Sequence, residues 1–273
     1  MYKTCFIILI LIGLFIFHKT AYSQNDRIHL EVTPYFELKN FDWNEKQENG
    51  ESFVQENGYL YAIGISHALY FLKNREASLT AGANYWFGKS DYDGLLLEPG
   101  GVRTPYQTQT AYSGFEGMLH AGYHAFVSRK TSIRPFFGFK FEYWQRNLDD
   151  GGSFGYTENY KAFFGDAGIK VSHSLSEHTK LFGSGMISKP FTASLSIPTV
   201  YQEGFETNEI NLTLPNNLSY KISAGISLHR FLVEFYYETW NLGKSTTDFG
   251  FFLPDATRSQ KGFKIGYRID ITS

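Results

Sequence analysis

Residues 218–228 read LSYKISAGISL, and this stretch decides the fold. Apolar residues occupy the even positions, and serine, lysine or glycine occupies the odd ones. A residue type that recurs at every second position lies on one face of a β-strand, whereas a helix repeats every 3.6 residues. The same alternation runs through residues 28–38, 133–143 and 261–271. The sequence therefore predicts an all-β protein.

Ten segments carry this pattern, and the lengths of their connections alternate between short and long. The segments are residues 27–40, 58–72, 77–90, 109–127, 132–147, 156–173, 178–190, 217–229, 231–241 and 259–272. An even number of strands with short turns at one end and long loops at the other is typical of a transmembrane antiparallel β-barrel. We predict one ten-stranded barrel with both chain termini at the short-turn end. Two glycines blur the seventh segment, so eight or twelve strands are alternatives, as is a soluble sandwich or lipocalin-like barrel.

The composition agrees with a barrel and limits the partners. Phe, Tyr and Trp make up 18% of the chain, and the formal net charge of −2 gives no basic excess for nucleic acid. The first 23 residues have the pattern of a secretory signal peptide: Lys3, an apolar run over residues 5–17, and a small-residue cleavage site. Cleavage near Ser23 would remove Cys5, the one cysteine, and leave residues 24–273 as the barrel.

The last segment, QKGFKIGYRIDI (residues 260–271), resembles the C-terminal assembly signal of Gram-negative outer-membrane β-barrel proteins. The matching residues are Gln260, Gly262, Ile265 and Tyr267, and in a second frame Lys264, Gly266, Ile269 and Ile271. The chain ends in Ile-Thr-Ser and so lacks the usual terminal aromatic residue. The resemblance implies a cell-surface protein of the outer membrane with periplasmic termini. Its partners would be outer-membrane lipid and the assembly machinery, which would recognise the last strand.

Residues 115–126, FEGMLHAGYHAF, place Glu116, His120 and His124 at a spacing of four. On a helix these three side chains would stack and could hold zinc, but on a strand neighbours lie about 13 Å apart. We therefore expect no metal site and no cofactor. Instead we predict a self-paired network of inward charges that fills a narrow lumen: Glu31, Glu116, His120, His124, Arg134, Lys140, Glu142, Arg146, Asp166, Lys170, Glu234, Glu238, Lys264 and Arg268.

Three functions remain open on the sequence alone. The first is a non-enzymatic surface barrel whose long extracellular loops bind a ligand or support membrane integrity. The second is a narrow channel for small solutes. The third is a hydrolase at the outer rim, because strand count and loop lengths resemble omptin-type barrels, and Asp91 and Asp93 resemble the aspartate pair of that family. The Asp-His partner of the family pattern is not matched, and SDYDG also fits a polar loop.

Overall fold

The computed structural model describes residues 29–272, except 48–49, 72–75, 98–102, 150–155, 199–200, 203–204, 207–208 and 249–250. The predicted signal peptide, residues 1–23, lies outside the described residues. Within the described part no helix is suited to crossing a membrane. The described residues form fifteen strands: β1 (His29–Lys46), β2 (Ser52–Phe71), β3 (Ala77–Leu97), β4 (Arg103–Tyr123), β5 (Ala125–Phe126), β6 (Thr131–Asp149), β7 (Tyr156–Ser174), β8 (Thr179–Ile197), β9 (Tyr201–Gln202), β10 (Phe205–Glu206), β11 (Ile210–Thr213), β12 (Ser219–Leu228), β13 (Phe231–Asn241), β14 (Asp255–Tyr267) and β15 (Ile269–Thr272).

Ten of these strands close into a ring in the order β1, β2, β3, β4, β6, β7, β8, β12, β13 and β14. Every neighbouring pair is antiparallel. The ring closes where β1 pairs with β14, from Tyr35 opposite Gly266 to Lys46 opposite Asp255. Beyond Arg268, β15 continues β14 along β1. The predicted all-β, ten-stranded antiparallel barrel is confirmed.

The strands are longer than the alternation of apolar residues predicts. The segments 41–57 and 91–108, predicted as loops, are mostly strand, because β1 reaches Lys46, β2 starts at Ser52 and β3 runs to Leu97. This part of the prediction is wrong for a physical reason. The alternation continues there with the opposite polarity, so that the apolar residues point inward and the polar residues point outward.

The outward face divides the barrel into two sections. In the inner section, which ends at the short turns, the outward side chains form an apolar belt: Phe36, Tyr59, Tyr61, Ile63, Ile65, Tyr85, Phe87, Leu119, Phe137, Phe139, Phe141, Phe163, Ile169, Ile187, Tyr220, Ile222, Phe235 and Ile265 are all exposed. On β6 the belt spans residues 133–143. Tilted strands of about 9–11 residues cross the hydrocarbon core of a bilayer, so the belt has the height of one membrane.

In the outer section the polarity is reversed. The outward side chains are polar and exposed: Asn57, Asp91, Gln109, Asn147, Ser194 and Asn241. The inward side chains form a buried core that includes Phe41, Trp43, Val54, Tyr112, Trp144, Leu148, Tyr160, Leu195, Leu212, Trp240 and Leu242. Because burial of apolar surface favours this arrangement only in water, the outer section is built as a water-facing β-barrel that continues a lipid-facing one.

Candidate functional site

The interior of the outer section holds one arginine surrounded by three carboxylates. Arg146 on β6 donates through Nε to Glu56 (2.8 Å) and through Nη1 to Glu45 (3.2 Å) and Glu158 (2.9 Å). Ser90 and Tyr112 donate their hydroxyls to the same Glu56 carboxylate at 2.6 and 2.9 Å. Four strands therefore meet in this Arg146 cluster, which comprises Arg146, Glu45, Glu56 and Glu158. All four side chains are nearly inaccessible to water.

The Arg146 cluster carries two negative charges in excess when all three carboxylates are ionised. Burial raises the pKa of the Glu45 carboxyl to about 7; Arg146 acts against this effect, and Glu158 adds to it. Glu45 also accepts a hydrogen bond of 2.8 Å from the Trp43 indole. The cluster therefore has one carboxyl that titrates near neutral pH.

An aromatic layer lies directly around this cluster and spans the barrel. Trp43 on β1 and Tyr160 on β7 are five positions apart in a ring of ten strands, so they come from opposite walls. Their ring centroids are 5.7 Å apart. Tyr160 stacks on Trp144 at 4.6 Å, and Trp144 and Phe164 each contact Trp240 edge-on, at 5.9 and 5.0 Å. Side chains therefore meet across the full width of the lumen.

A second charged cluster adjoins the aromatic layer on the side of the short-turn end. Lys140 pairs with Glu142 (2.7 Å) and Glu238 (3.0 Å), and Lys221 also pairs with Glu238 (3.2 Å). Arg258 on β14 pairs with Glu142 on β6 at 2.8 Å, although these strands are also on opposite walls. This Lys140 cluster of five residues contains three cations and two carboxylates, and it bridges the lumen a second time.

The next groups toward the short-turn end are paired within one strand or between nearby strands. Lys264 lies 3.8 Å from Glu234 and 3.9 Å from Glu37, and Glu37 accepts a hydrogen bond from Tyr236. Lys39 lies 3.5 Å from Glu37. The two contacts of Lys264 join β14 to its neighbours β13 and β1, as cross-strand pairing of opposite charges predicts, whereas Lys39 and Glu37 pair within β1.

Glu116, His120 and His124 do not form a common site. Glu116 accepts a hydrogen bond from Asn84 at 3.3 Å, and His120 pairs with Asp166 at 2.8 Å. His124 lies 3.3 Å from the Ser78 hydroxyl. Each side chain has its own partner at its own depth in the barrel, as their spacing on a strand requires.

The structure brings some of the predicted network residues together and leaves others apart. Lys140, Glu142 and Glu238 meet in one cluster, and Lys264 lies near Glu234. Three of the predicted cations, Arg134, Lys170 and Arg268, have no Asp or Glu oxygen within 4 Å in the described part of the chain. Arg134 lies over the Phe136 ring, and Lys170 lies over the Phe182 ring. Arg268 donates to the His229 carbonyl. Glu31 accepts a hydrogen bond from Tyr70 at 3.3 Å.

Several central residues are absent from the predicted network. They are Lys39, Glu45, Glu56, Lys221 and Arg258. Glu45, Glu56 and Arg258 fall in segments predicted as loops, so their inward direction was missed. Counting every second residue onward from Glu37 would have reached Lys39, Phe41, Trp43 and Glu45, which all point inward.

The aspartate pair considered for catalysis points away from the lumen. Asp91 and Asp93 lie within β3, where both are exposed on the outward face, and the buried Tyr92 lies between them. SDYDG is therefore strand, and the polar loop that also fitted this sequence is not found. Every histidine in the described part of the chain lies in the inner section or at its turns: His29, His67, His120, His124, His173, His178 and His229.

No protein-family model matches the sequence, and no curated protein matches it either. Among solved structures, the barrel is similar to the outer membrane protease OmpT from Escherichia coli, with a TM-score of 0.61 and 12% identity over 92% of this chain and 99% of OmpT. The translocator domain of the autotransporter NalP from Neisseria meningitidis gives a TM-score of 0.45 and 10% identity over 98% and 97% of the two chains. The outer membrane protein OprG from Pseudomonas aeruginosa gives 0.43 and 9% over 88% and 95%. The similarity to OmpT concerns the fold: a closed, ten-stranded antiparallel barrel of the outer-membrane type.

Proposed function

We propose that this chain is a non-enzymatic outer-membrane barrel that does not conduct and that carries a rigid extracellular surface for binding or for membrane integrity. The observation that carries the proposal is the double contact across the lumen. Trp43 meets Tyr160, and Arg258 meets Glu142, in each case from opposite walls. A continuous water path would have to separate both pairs, and separating the buried ion pair would cost several kcal/mol.

The apolar belt supports a place in the membrane, and the resemblance of the last strand supports the outer membrane of a Gram-negative bacterium. With the signal peptide removed near Ser23 and both termini in the periplasm, the outer section would stand on the cell surface. Its core of aromatic and aliphatic side chains would hold the long hairpins in fixed positions. Fixed hairpins suit binding, because a preorganised surface loses little conformational entropy on contact with a ligand.

The directions of the polar side chains favour this proposal over a rim hydrolase. Asp91 and Asp93 face outward from the water-facing section, and the described histidines all lie elsewhere, toward the opposite end of the barrel. A general acid or base must come within hydrogen-bond reach of its substrate and of its partner groups. No such aspartate–histidine arrangement occurs at the outer end of the described residues.

The test is conductance of the refolded protein in a planar lipid bilayer, with heat-dependent gel mobility as evidence of a folded barrel. We expect no steady current steps from the wild type. Phe137→Ala, which removes a ring from the lipid face, is the matched control and should also be silent. Discrete steps from the folded wild type, with an ion selectivity that shifts in Lys140→Gln or Glu116→Gln, would contradict the proposal and support the narrow channel.

A further inference from the structure

The closing seam of the barrel brings together three potential metal ligands from the two ends of the chain. β1 and β15 pair in register, with His29 opposite Thr272 and Glu31 directly opposite Asp270. His29, Glu31 and Asp270 share the inward face at the short-turn end. Their closest ligand atoms all lie within 4.8 Å of one another.

The two carboxylates at this seam lack an obvious neutralising partner. Like charges directly opposite each other on neighbouring strands destabilise a sheet. Among the described residues, no lysine or arginine nitrogen lies within 4 Å of either carboxylate, and their shared partner is the His29 imidazole. Its Nε2 lies 3.4 Å from Glu31 Oε1 and 3.4 Å from Asp270 Oδ1.

The imidazole is also buried and directed into the gap between the carboxylates. His29 is 6% exposed, and its Nδ1 has no hydrogen-bond partner. Tyr70 packs 5.9 Å from the imidazole ring and donates its hydroxyl to the second oxygen of Glu31 at 3.3 Å. Such a hydrogen bond from a neighbour orients a ligating carboxylate and leaves its other oxygen for a metal.

We infer that His29, Glu31 and Asp270 form a divalent metal site that clamps the first strand of the barrel to the last, and that its ion is zinc. Zinc is held by nitrogen and carboxylate oxygen at about 2.0–2.2 Å in tetrahedral geometry, which places neighbouring ligand atoms about 3.3–3.6 Å apart. The separations of 3.4 Å agree with this value. Calcium requires six to eight oxygen ligands, so the histidine argues against it.

The site is open to an ion from the water at the short-turn end, because the Asp270 side chain is 39% exposed. Three protein ligands leave a fourth position for water. The ligands come together only when the ring is closed, so zinc would bind the folded barrel and not the unfolded chain. Zinc should therefore raise the temperature at which the barrel unfolds.

The test is zinc binding to the folded full-length barrel in detergent, measured by equilibrium dialysis with elemental analysis and by calorimetry. We expect one zinc per chain, with an affinity at least about tenfold weaker in His29→Gln and in Asp270→Asn. Cobalt(II) should give the visible absorption of a tetrahedral site in the wild type and should not give it in His29→Gln or Asp270→Asn. His178→Gln, which changes an exposed histidine at the β7–β8 turn, is the matched control and should bind like the wild type.

Each other result would overturn the inference. Absence of zinc binding by the folded wild type would mean that His29, Glu31 and Asp270 contact only one another and hold no ion. Binding that survives His29→Gln, or that is lost in His178→Gln, would place the metal elsewhere. Glu31→Gln provides a further variant if either substitution prevents folding, and its zinc affinity should fall as well.

Discussion

Replacement of Arg146 by methionine removes the one cation of the Arg146 cluster and keeps most of the side-chain volume. Three buried carboxylates would then face one another without a counter-charge. Their side chains are 6% exposed or less, so water cannot take the place of the guanidinium. The variant should be strongly destabilised, and the destabilisation should depend on pH.

The magnitude follows from the cost of neutralising a carboxylate that has lost its partner. A glutamate with an ordinary pKa of about 4.3 takes up a proton at a cost of about 1.4 kcal/mol per pH unit above that value. One such protonation costs about 5 kcal/mol at pH 8 and about 1.6 kcal/mol at pH 5.5. The higher figure agrees with the 3–5 kcal/mol by which removing one partner of a buried ion pair destabilises proteins.

The assay is equilibrium unfolding in urea at both pH values, followed by tryptophan fluorescence in detergent or lipid. Arg129→Met is the matched control, because Arg129 lies exposed in the turn before β6, and it should change the free energy of unfolding by no more than about 0.5 kcal/mol. Equal stability of Arg146→Met and this control at pH 8 would contradict the prediction, as would a loss of stability that is the same at both pH values.

Two further predictions concern the charged interior and the lipid face. The pKa of Glu45 is raised from 4.5 to about 7, so its contribution to stability is present below about pH 4.5 and is lost as the pH rises through 7. In the wild type the free energy of unfolding should therefore fall by about 3 kcal/mol between these pH values, and Glu45→Gln should abolish this fall. Glu177→Gln, in an exposed turn, should leave the fall unchanged. Unfolding titrations from pH 4.5 to 8.5 would show it, and an unchanged slope would contradict it. Phe137→Arg, in the middle of the apolar belt, should cost about 2–4 kcal/mol in a bilayer, and Asn57→Arg in the outer section close to nothing; equal costs in refolding titrations would contradict the division into sections.

Local alternation was enough to predict the ten strands and their order along the chain. Residues 218–228 and 133–143 carry polar and apolar faces that only a strand can separate. Residues 133–143 lie inside β6, and all of residues 218–228 except Leu218 lie in β12. The alternating connections then predicted the barrel. The even, closed ring has no free edge, which is the condition that a sheet must meet in lipid.

The strand ends in the outer section were missed because the surroundings of each strand change from lipid to water along its length. From Phe41 to Glu45 the inward residues are apolar or aromatic before the charge returns, which reverses the rule that holds between Glu31 and Glu37. A search for polar residues on the inward face and apolar residues on the outward face stops where this arrangement reverses. The strand itself continues, since its hydrogen bonds do not depend on which face is wet.

The partners within the interior could not be read from the sequence at all. Neighbouring strands can be paired by register, but Arg258 and Glu142 meet because their strands are opposite in a ring of ten. The same holds for the site at the seam, where Glu31 meets Asp270 only after the barrel closes. Such contacts depend on strand number and stagger, which are properties of the whole ring.

We propose that lipid covers the inner section alone and that the outer section stands in water. Because Cys5 is the one cysteine and lies in the predicted signal peptide, single-cysteine variants of the mature barrel can be made directly. Asn57→Cys and Ile63→Cys lie on the outward face of the same strand, about 20 Å apart along β2. In lipid nanodiscs, a charged maleimide should label Asn57→Cys rapidly and leave Ile63→Cys protected. Equal labelling of the two positions, or protection of both, would contradict the claim.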